Sequence, residues 1–272
     1  MNEQGIPVLA AEQATQRYPL PRTNPFRRAE VLTAVEATDF RVHAGESVGI
    51  VGESGSGKTT LCRMLVGQEK PAGGRILHRG RDVWARGFDT LSYRRSVQMV
   101  FQNPKSSFDP RMTVGEALRE PMRSLKIEGD AESRILTVLD QVGLDSRVVE
   151  RFPHEFSGGQ LQRLAIARAL IPSPEVLVAD EPVSALDVSI QAQVLNLLKD
   201  LVRDLGLALV MIAHDLSVVG CTTERVYVMS NARVVEKGEP SRLFFSPSAP
   251  ETKELVDAVL NVGDGLAGKG LD

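Results

Sequence analysis

One segment of the chain has the residue types and spacing to bind the phosphates of a nucleotide. Residues 52–59 read GESGSGKT and match GxxxxGK[ST] at every fixed position. Glycines let backbone N–H groups approach phosphate oxygens where a side chain would obstruct them. Lys58 would then bind the β- and γ-phosphates, and Thr59 would ligate Mg²⁺. The other candidate nucleotide contacts of the segment are Gly52, Ser54, Gly55, Ser56, Gly57 and Thr60.

A second segment places two carboxylates at the end of an apolar run. Residues 176–182 read VLVADEP. At the carboxyl end of a strand in an α/β sheet, both side chains can reach a ligand in the crevice. Asp180 would hold Mg²⁺ directly or through water, and Glu181 would orient or deprotonate the attacking water. The alternative is that one carboxylate caps a helix and the other is a solvated surface acid.

A third segment, FSGGQ at 156–160, has the pattern of a capped helix start. Ser157 is a good N-cap, and Gly158, Gly159 and Gln160 begin a helical run that reaches Leu170. Glycines at a helix start expose N–H groups that can bind a second anion. Because the chain has a single nucleotide loop, this segment suggests a site shared between two copies or relatives. The alternative is an ordinary capped helix.

Three single residues are further candidates. Gln102 follows an apolar run and could reach Mg²⁺ or the attacking water. His214 follows another apolar run and precedes Asp215. Tyr18 could stack on an adenine ring. Each has an ordinary alternative, since isolated residues of these types commonly lie on the surface, cap a helix or pack in the core.

Alternating strands and helices would position these residues. Short apolar runs predict strands at 47–51, 97–101, 176–179, 207–213 and 225–229. Helical spacing predicts helices at 58–66 and 189–205, the latter with one clear apolar face. This alternation favours a parallel sheet with crossover helices.

The stretch from about 103 to 172 differs, because helical patterns dominate it, at 113–125 and 132–142. We interpret it as a helical insertion between two strands of the sheet. Residues 19–28 (PLPRTNPFRR) predict a basic, proline-rich loop, and the glycine-rich end from Gly263 predicts a disordered tail.

Composition excludes several classes of protein. The chain has 272 residues, 32 basic and 35 acidic side chains, a net charge of −3 and 42% hydrophobic residues. Its longest apolar run, 207–213, is far shorter than the ~18 residues of a membrane span. The charge argues against nucleic-acid binding by bulk charge. The two cysteines, Cys62 and Cys221, indicate neither a disulfide framework nor a metal site, and the first residues predict no signal peptide.

Taken together, these motifs resemble those of the ATP-binding cassette (ABC) ATPases, in the same order along nearly the whole chain. The matching elements are a candidate A-loop Tyr18, Walker A 52–59, Q-loop Gln102, signature 157–160, Walker B 176–180 with Glu181, D-loop 184–187 ending at Asp187, and switch His214. Flanking segments are similar to the dipeptide/oligopeptide/nickel importer branch, notably VQMVFQNP at 97–104 and EPVSALDVS at 181–189.

The resemblance implies an α/β fold: a P-loop NTPase core with an antiparallel β edge and an inserted helical subdomain. It also implies ATP and Mg²⁺ as cofactors, with Thr59, Gln102 and Asp180 as metal ligands and Glu181, Gln102 and His214 as catalytic residues. Asp187 and residues 157–160 would contact nucleotide across a head-to-tail dimer. The expected division of the single domain is a core at about 1–102 and 173–245, the insertion at 103–172, and a C-terminal helix and flexible tail at 246–272.

The implied partners are a second ABC ATPase subunit, in a heterodimer more readily than a homodimer, and two membrane permease subunits gripped by the segment after Gln102. An extracytoplasmic solute-binding protein would act through the permease. No nucleic-acid partner is expected, and the chain would lie at the cytoplasmic face of the inner membrane, held by the permease.

Two departures from the branch bear on the cargo. The His-Pro-Tyr-Thr segment common in this branch is replaced by SPSAPETK at 246–253, and no cysteine follows Cys221. Both weaken an assignment to peptides, and the short chain is more similar to nickel-type or other small-solute members. Two other functions stay open: an ATPase of a soluble complex such as one for phosphonate cleavage, and a nucleotide-binding regulator without hydrolysis. Glu181 and His214 argue against the regulator.

Overall fold

The structure is a computed structural model that describes residues 5–21 and 30–267. These residues contain two β-sheets. The larger sheet has six strands in the order β10-β9-β3-β8-β7-β6, and the smaller has four in the order β2-β1-β4-β5. The strands are β1 (Leu9–Pro19), β2 (Val31–Val42), β3 (Ser47–Val51), β4 (Gly73–His78), β5 (Arg81–Asp82), β6 (Val97–Val100), β7 (Val176–Asp180), β8 (Ala208–Ala213), β9 (Arg225–Ser230) and β10 (Arg233–Gly238).

Nine α-helices connect and cover these sheets within the described part of the chain. They are α1 (Lys58–Leu65), α2 (Thr90–Ser96), α3 (Val114–Ser124), α4 (Ala131–Gln141), α5 (Gly158–Leu170), α6 (Val188–Leu205), α7 (Leu216–Gly220), α8 (Pro240–Phe245) and α9 (Pro250–Ala267). The predicted alternation of strands and helices in an α/β fold is confirmed, with bounds that differ by one or two residues.

Strands β3, β7 and β8 form the centre of the larger sheet, and every residue in them is buried. Continuous apolar runs are typical of parallel strands that are covered on both faces. The three strands run parallel, with Val51 opposite Ala213 and Asp180 opposite Ile212. Their carboxyl ends therefore meet at one edge, and the residues that follow each strand lie close together there.

The two faces of the larger sheet pack against different layers. On one face, Ile50 and Val210 pack with Leu61 of α1 and with β1 and β2 of the antiparallel sheet. On the other face, Leu177 and Leu209 pack with residues of α3, α4, α5 and α6. Successive residues of one strand thus serve two cores, and α1 lies between the two sheets.

Helices α3, α4 and α5 form the inserted layer that the sequence predicted between β6 and β7. Each begins at a side-chain cap: Thr113 accepts from the N–H of Glu116, Asp130 from that of Glu132, and Ser157 from that of Gln160. Such caps satisfy N–H groups that the helix itself leaves unpaired. They set the starts of the three helices at positions marked in the sequence.

A carboxylate on the larger sheet binds the backbone at the start of the C-terminal helix α9. Glu236 on β10 accepts hydrogen bonds from the N–H groups of Ser248 and Ala249, both at 3.0 Å, just before the helix begins. The helix continues to Ala267, and the disordered tail expected from Gly263 stays a prediction. Most of the predicted loop at 19–28 and the last five residues lie outside the described residues.

A membrane span requires a long apolar helix, and the described helices include none of sufficient length and hydropathy.

Candidate active site

The phosphate-binding loop joins β3 to α1, and two of its glycines are required by their surroundings. Gly52 has φ +152° and Gly57 has φ +103°, a region that side chains rarely adopt. A Cβ at Gly52 would lie 2.0 Å from the carbonyl oxygen of Met229, and one at Gly57 would lie 2.2 Å from that of Ala34. Backbone carbonyl groups of β9 and β2 thus lie directly against the loop and restrict its conformation.

Replacing Gly57 by alanine is expected to disrupt the loop. The left-handed backbone alone costs about 1–3 kcal/mol, and the overlap with the Ala34 carbonyl adds to it. We expect a lower urea midpoint of unfolding and loss of measurable ADP binding. Gly45→Ala is the matched control, since Gly45 also has positive φ (+71°) but a Cβ there meets nothing within 4 Å. Equal effects of the two substitutions on ADP binding would contradict this description of the loop.

Lys58 is buried at the first turn of α1. Its ammonium donates to the carbonyl oxygens of Gly52 at 2.6 Å and Glu53 at 2.7 Å. Burial lowers the pKa of Lys58, and the nearby Glu181 and Asp180 carboxylates act in the opposite direction. A phosphate would replace the two carbonyls as a stronger, charged acceptor.

The donors around Lys58 fit a nucleotide phosphate. The first helical hydrogen bond of α1 is donated by the Leu61 N–H to Gly57, and α1 has no side-chain cap. The N–H groups at the start of the helix are therefore free to bind an anion. The hydroxyl of Ser56 is buried and has no hydrogen-bond partner among the described residues. The loop and the start of α1 therefore provide several hydrogen-bond donors that could bind the phosphates of a nucleotide.

Asp180 and Glu181 occupy different environments at the end of β7. Asp180 is buried, and burial together with the adjacent Glu181 carboxylate raises the pKa of Asp180. Glu181 has φ +46°, which is unusual for a residue with a side chain. Its N–H donates to the carbonyl oxygen of Ile212 at 3.0 Å, and its carbonyl accepts from the Ser184 hydroxyl at 3.1 Å. These bonds hold a strained backbone, as is common at functional sites.

The strained turn brings Glu181 to two other predicted residues. The Gln102 amide Nε2 donates to Oε2 of Glu181 at 2.7 Å, and His214 Nδ1 lies 3.9 Å from the same oxygen. Gln102 follows β6 and His214 follows β8, so three neighbouring strand ends converge. The placement expected from the parallel sheet is observed, and the three side chains lie together at this edge.

The predicted magnesium ligands are Thr59, Gln102 and Asp180, and they stay predictions. No group of three or more His, Cys, Asp or Glu side chains that could hold a metal occurs among the described residues. This donor set nevertheless fits Mg²⁺, which is bound in nucleotide sites through one or two side chains, waters and the phosphates. Asp180 would supply the carboxylate.

Tyr18 lies near the end of β1, beside the first turn of α1. Its hydroxyl donates to Oε2 of Glu69 at 2.8 Å, and the Thr60 hydroxyl also influences the pKa of this phenol. Thr60 belongs to the predicted nucleotide contacts, so the structure brings Tyr18 to their neighbourhood. Sequence reasoning missed Glu69, since it lies 51 residues from its partner and no local pattern marks it.

The Ser157–Gln160 group forms a capping box at the start of α5. The Gln160 N–H donates to the Ser157 hydroxyl at 3.3 Å, and the Ser157 N–H donates to the Gln160 side chain at 3.1 Å. A Cβ at Gly159 would lie 2.5 Å from Cγ2 of Ile190, so this helix start packs closely on α6. No hydrogen bond or ion pair among the described residues joins the group to the phosphate loop or to Glu181.

Asp187 is the N-cap residue of α6, and its side chain makes no capping hydrogen bond. Asp187 and the following Val188 are exposed. The capped-helix interpretation of residues 157–160 therefore describes their contacts within this chain. Ser157, Gly158 and Gln160 are exposed, as is the neighbouring Asp187, so this surface is accessible to a partner.

Comparison with known proteins assigns the sequence of this chain to one family. The model of the family described as "ABC transporter" matches residues 35–184. The oligopeptide transport ATP-binding protein OppF of Lactococcus lactis is 45% identical over 90% of this chain and 78% of its own length. The dipeptide transport ATP-binding protein DppF of Escherichia coli is 43% identical over 93% of this chain and 76% of its own length.

Solved structures show the same fold. A dimeric ATP-binding cassette in a post-hydrolysis state with ADP and Pi superposes with a TM-score of 0.73 and 27% identity, covering 85% of this chain and 98% of that one. The cbiO1 protein of Clostridium perfringens, part of the ABC transporter complex cbiONQ, gives a TM-score of 0.75 and 25% identity over 96% of this chain and 98% of its own.

Proposed function

The chain belongs to the ABC transporter family and is an ATPase of that family, and we propose that it powers a membrane importer of peptides or similar small solutes. The convergence of Gln102 and His214 on Glu181 carries the hydrolytic part of this proposal. The names of the relatives OppF and DppF support the importer. They favour it over the alternative of a soluble phosphonate-cleaving complex. They also favour peptides over nickel as cargo.

In the proposed reaction, the residues of this chain act mainly by position and charge. Lys58 moves from its two carbonyl acceptors to the β- and γ-phosphates. Glu181 accepts a proton from the water as its oxygen bonds to the γ-phosphorus, and the bond to the β–γ bridging oxygen breaks to release ADP. The Gln102 amide holds the carboxylate oxygen of Glu181, and His214 lies beside it. A bound Mg²⁺ would neutralise charge on the phosphates, with Thr59 and Asp180 as its protein ligands.

The second half of the site is proposed to come from another ABC ATPase subunit. Ser157, Gly158 and Gln160 are exposed at the start of α5, and no hydrogen bond among the described residues joins this group to the phosphate loop of its own chain. In a head-to-tail dimer, they would face the nucleotide of the partner, with Asp187 beside them. We propose a heterodimer in preference to a homodimer, because importers of the branch that the sequence resembles commonly pair two different ATPases.

An open groove beside Gln102 is the proposed permease contact. It has a volume of about 510 Å³ and lies between β6 and helices α3 and α5, with Phe101, Glu120 and Arg168 in its lining. Arg168 binds Glu120 at 3.0 Å across the groove wall. Since Phe101 precedes Gln102 directly, movement of a permease segment in this groove would be coupled to the position of the catalytic Gln102. Two permease subunits would hold the chain at the cytoplasmic face of the inner membrane, and an extracytoplasmic solute-binding protein would deliver the cargo.

Affinity purification of the tagged full chain from detergent-solubilised membranes tests this assembly. We expect a multi-span permease and a second ABC ATPase to be recovered with it. Recovery of soluble enzymes without a permease would contradict the importer and favour the soluble complex.

The groove itself can be tested with Phe101→Asp. The Phe101 side chain is 44% exposed, so a charge there is tolerated by the isolated chain but costly under a permease segment. We expect the permease to be lost from the purified complex while ADP affinity stays unchanged. Phe245→Asp is the matched control, because Phe245 is 88% exposed and lies outside the groove. Equal recovery of permease with both variants would argue against the groove.

A further inference from the structure

The orientation of the Tyr18 side chain is fixed by a hydrogen bond from its hydroxyl to the carboxylate of Glu69. The ring is half-buried, and its hydroxyl donates to Glu69 at 2.8 Å. Burial raises the pKa of Tyr18, and the hydrogen bond to Glu69 raises it further. The phenol therefore keeps its proton at neutral pH, and this proton is committed to Glu69.

The other oxygen of Glu69 is also bonded to β1. Gln16, which is buried, donates its Nε2 to Oε1 of Glu69. The Gln16 oxygen accepts from the N–H of Ala72 at 3.1 Å, so the amide orientation is fixed. Gln16 and Tyr18 are two residues apart on a strand and point to the same face. Glu69 thus binds two neighbouring side chains of that face at once.

The backbone of Glu69 is attached to the phosphate-binding helix. Its N–H donates to the carbonyl oxygen of Arg63 at 3.2 Å, and the N–H of Gln68 donates to the same oxygen at 2.9 Å. Arg63 lies in the last turn of α1, whose first turn contains Lys58. Movement of Tyr18 relative to the phosphate loop would break this chain of bonds.

From this geometry we infer that Glu69 is a positioning residue for nucleotide-base binding, which holds the Tyr18 ring at a fixed place relative to the phosphate loop. The inference rests on the proposed function, in which Tyr18 stacks on the base. Because the phenol proton is already used, Tyr18 has no O–H to donate to the edge of the base, and its ring face remains for stacking. A side chain that is ordered before binding loses less entropy when the ligand arrives.

Stacking depends on the aromatic face of a base, which all bases have, and not on its hydrogen-bonding edge. Loss of Glu69 should therefore weaken ADP and GDP to the same extent. It should raise KM for ATP without changing kcat, since no hydrogen bond or ion pair among the described residues joins Glu69 to Glu181, Gln102 or His214.

The test measures ADP and GDP binding to the full chain by calorimetry. Glu69→Ala is expected to raise both dissociation constants roughly 3- to 10-fold. Tyr18→Phe keeps the ring but removes the bonded hydroxyl, so it should have the same effect, and the double variant should bind no more weakly than either single one. Glu12→Ala is the matched control, since Glu12 on the same strand binds Arg75 of β4 at 2.6 Å and should leave both constants unchanged.

The outcomes distinguish failure of the positioning role of Glu69 from failure of base stacking by Tyr18. If Tyr18→Ala weakens binding but Glu69→Ala does not, the positioning role is wrong and base stacking stands. Multiplicative effects in the Glu69→Ala, Tyr18→Phe double variant, or a fall in kcat with unchanged KM, would also overturn the inference. If Tyr18→Ala itself binds ADP like the parent, base stacking by Tyr18 fails and the role of Glu69 fails with it.

Discussion

Glu181→Gln should lower ATP turnover by about 10²- to 10⁴-fold, the usual contribution of a general base, while ATP binding is retained. Glutamine has nearly the same shape and can still accept the bond that Gln102 donates at 2.7 Å. It cannot take a proton from water. Because the phosphate loop is untouched, the ATP-bound closed dimer should accumulate. Phosphate release by the assembled complex and size-exclusion chromatography with ATP measure the two effects.

The control for this variant is a carboxylate at the opposite end of the same strand. Glu175 precedes β7 and pairs with Arg79 at 3.0 Å, so Glu175→Gln keeps the strand but alters no group near the nucleotide. It should hydrolyse ATP at the parent rate. Turnover by Glu181→Gln at that same rate would show that another group activates the water.

Lys58→Ala should raise the dissociation constant for ATP roughly 10- to 100-fold, which corresponds to the loss of hydrogen bonds between charged groups. The ammonium is buried and already desolvated in the folded chain, so its interaction with phosphate is screened less than that of a surface lysine. The substitution leaves the Gly52 and Glu53 carbonyls without their donor. Calorimetry with a non-hydrolysable ATP analogue measures the change.

Lys199→Ala provides the comparison, since Lys199 is exposed on α6 and far along the chain from the loop. It should bind the analogue like the parent. An affinity of Lys58→Ala equal to that of Lys199→Ala would contradict the assigned role of the loop lysine.

Much of the catalytic edge could be predicted from the sequence because it depends on local signals. A continuous apolar run such as 47–51 indicates a strand covered on both faces, and Gly57-Lys58 marks the start of the next helix. Once these strands are parallel, Gln102, Glu181 and His214 must lie at one edge. The converging distances in the structure confirm that step of the argument.

The resemblance implies an antiparallel edge, but the sequence predicts none of its individual strands, and the reason is physical. Strands β1 and β2 contain register shifts, with Gln13 at φ +48° and Ala37 at φ +38°. A bulge interrupts the alternation by which strands are found in a sequence. The long pairing of these strands depends on contacts across the chain.

Two features of the site were also beyond sequence reasoning. The left-handed backbone of Glu181 is held by a hydrogen bond to Ile212 of the adjacent strand. A glutamate gives no sign in the sequence that its backbone is left-handed. The bond between Tyr18 and Glu69 joins two segments that only the fold brings together. In both cases a distant partner fixes the orientation of a residue that the motif had already identified.

Uptake of a labelled oligopeptide into proteoliposomes tests the central claim most directly. The vesicles would contain the purified complex of this chain with its permease and partner ATPase, with ATP on the side of the ATPases and the solute-binding protein on the other. We predict peptide accumulation that requires ATP, and that falls to background when this chain carries Glu181→Gln and remains with Glu175→Gln. Equal uptake with Glu181→Gln, or ATP hydrolysis with no peptide transport, would contradict an importer ATPase of this cargo class.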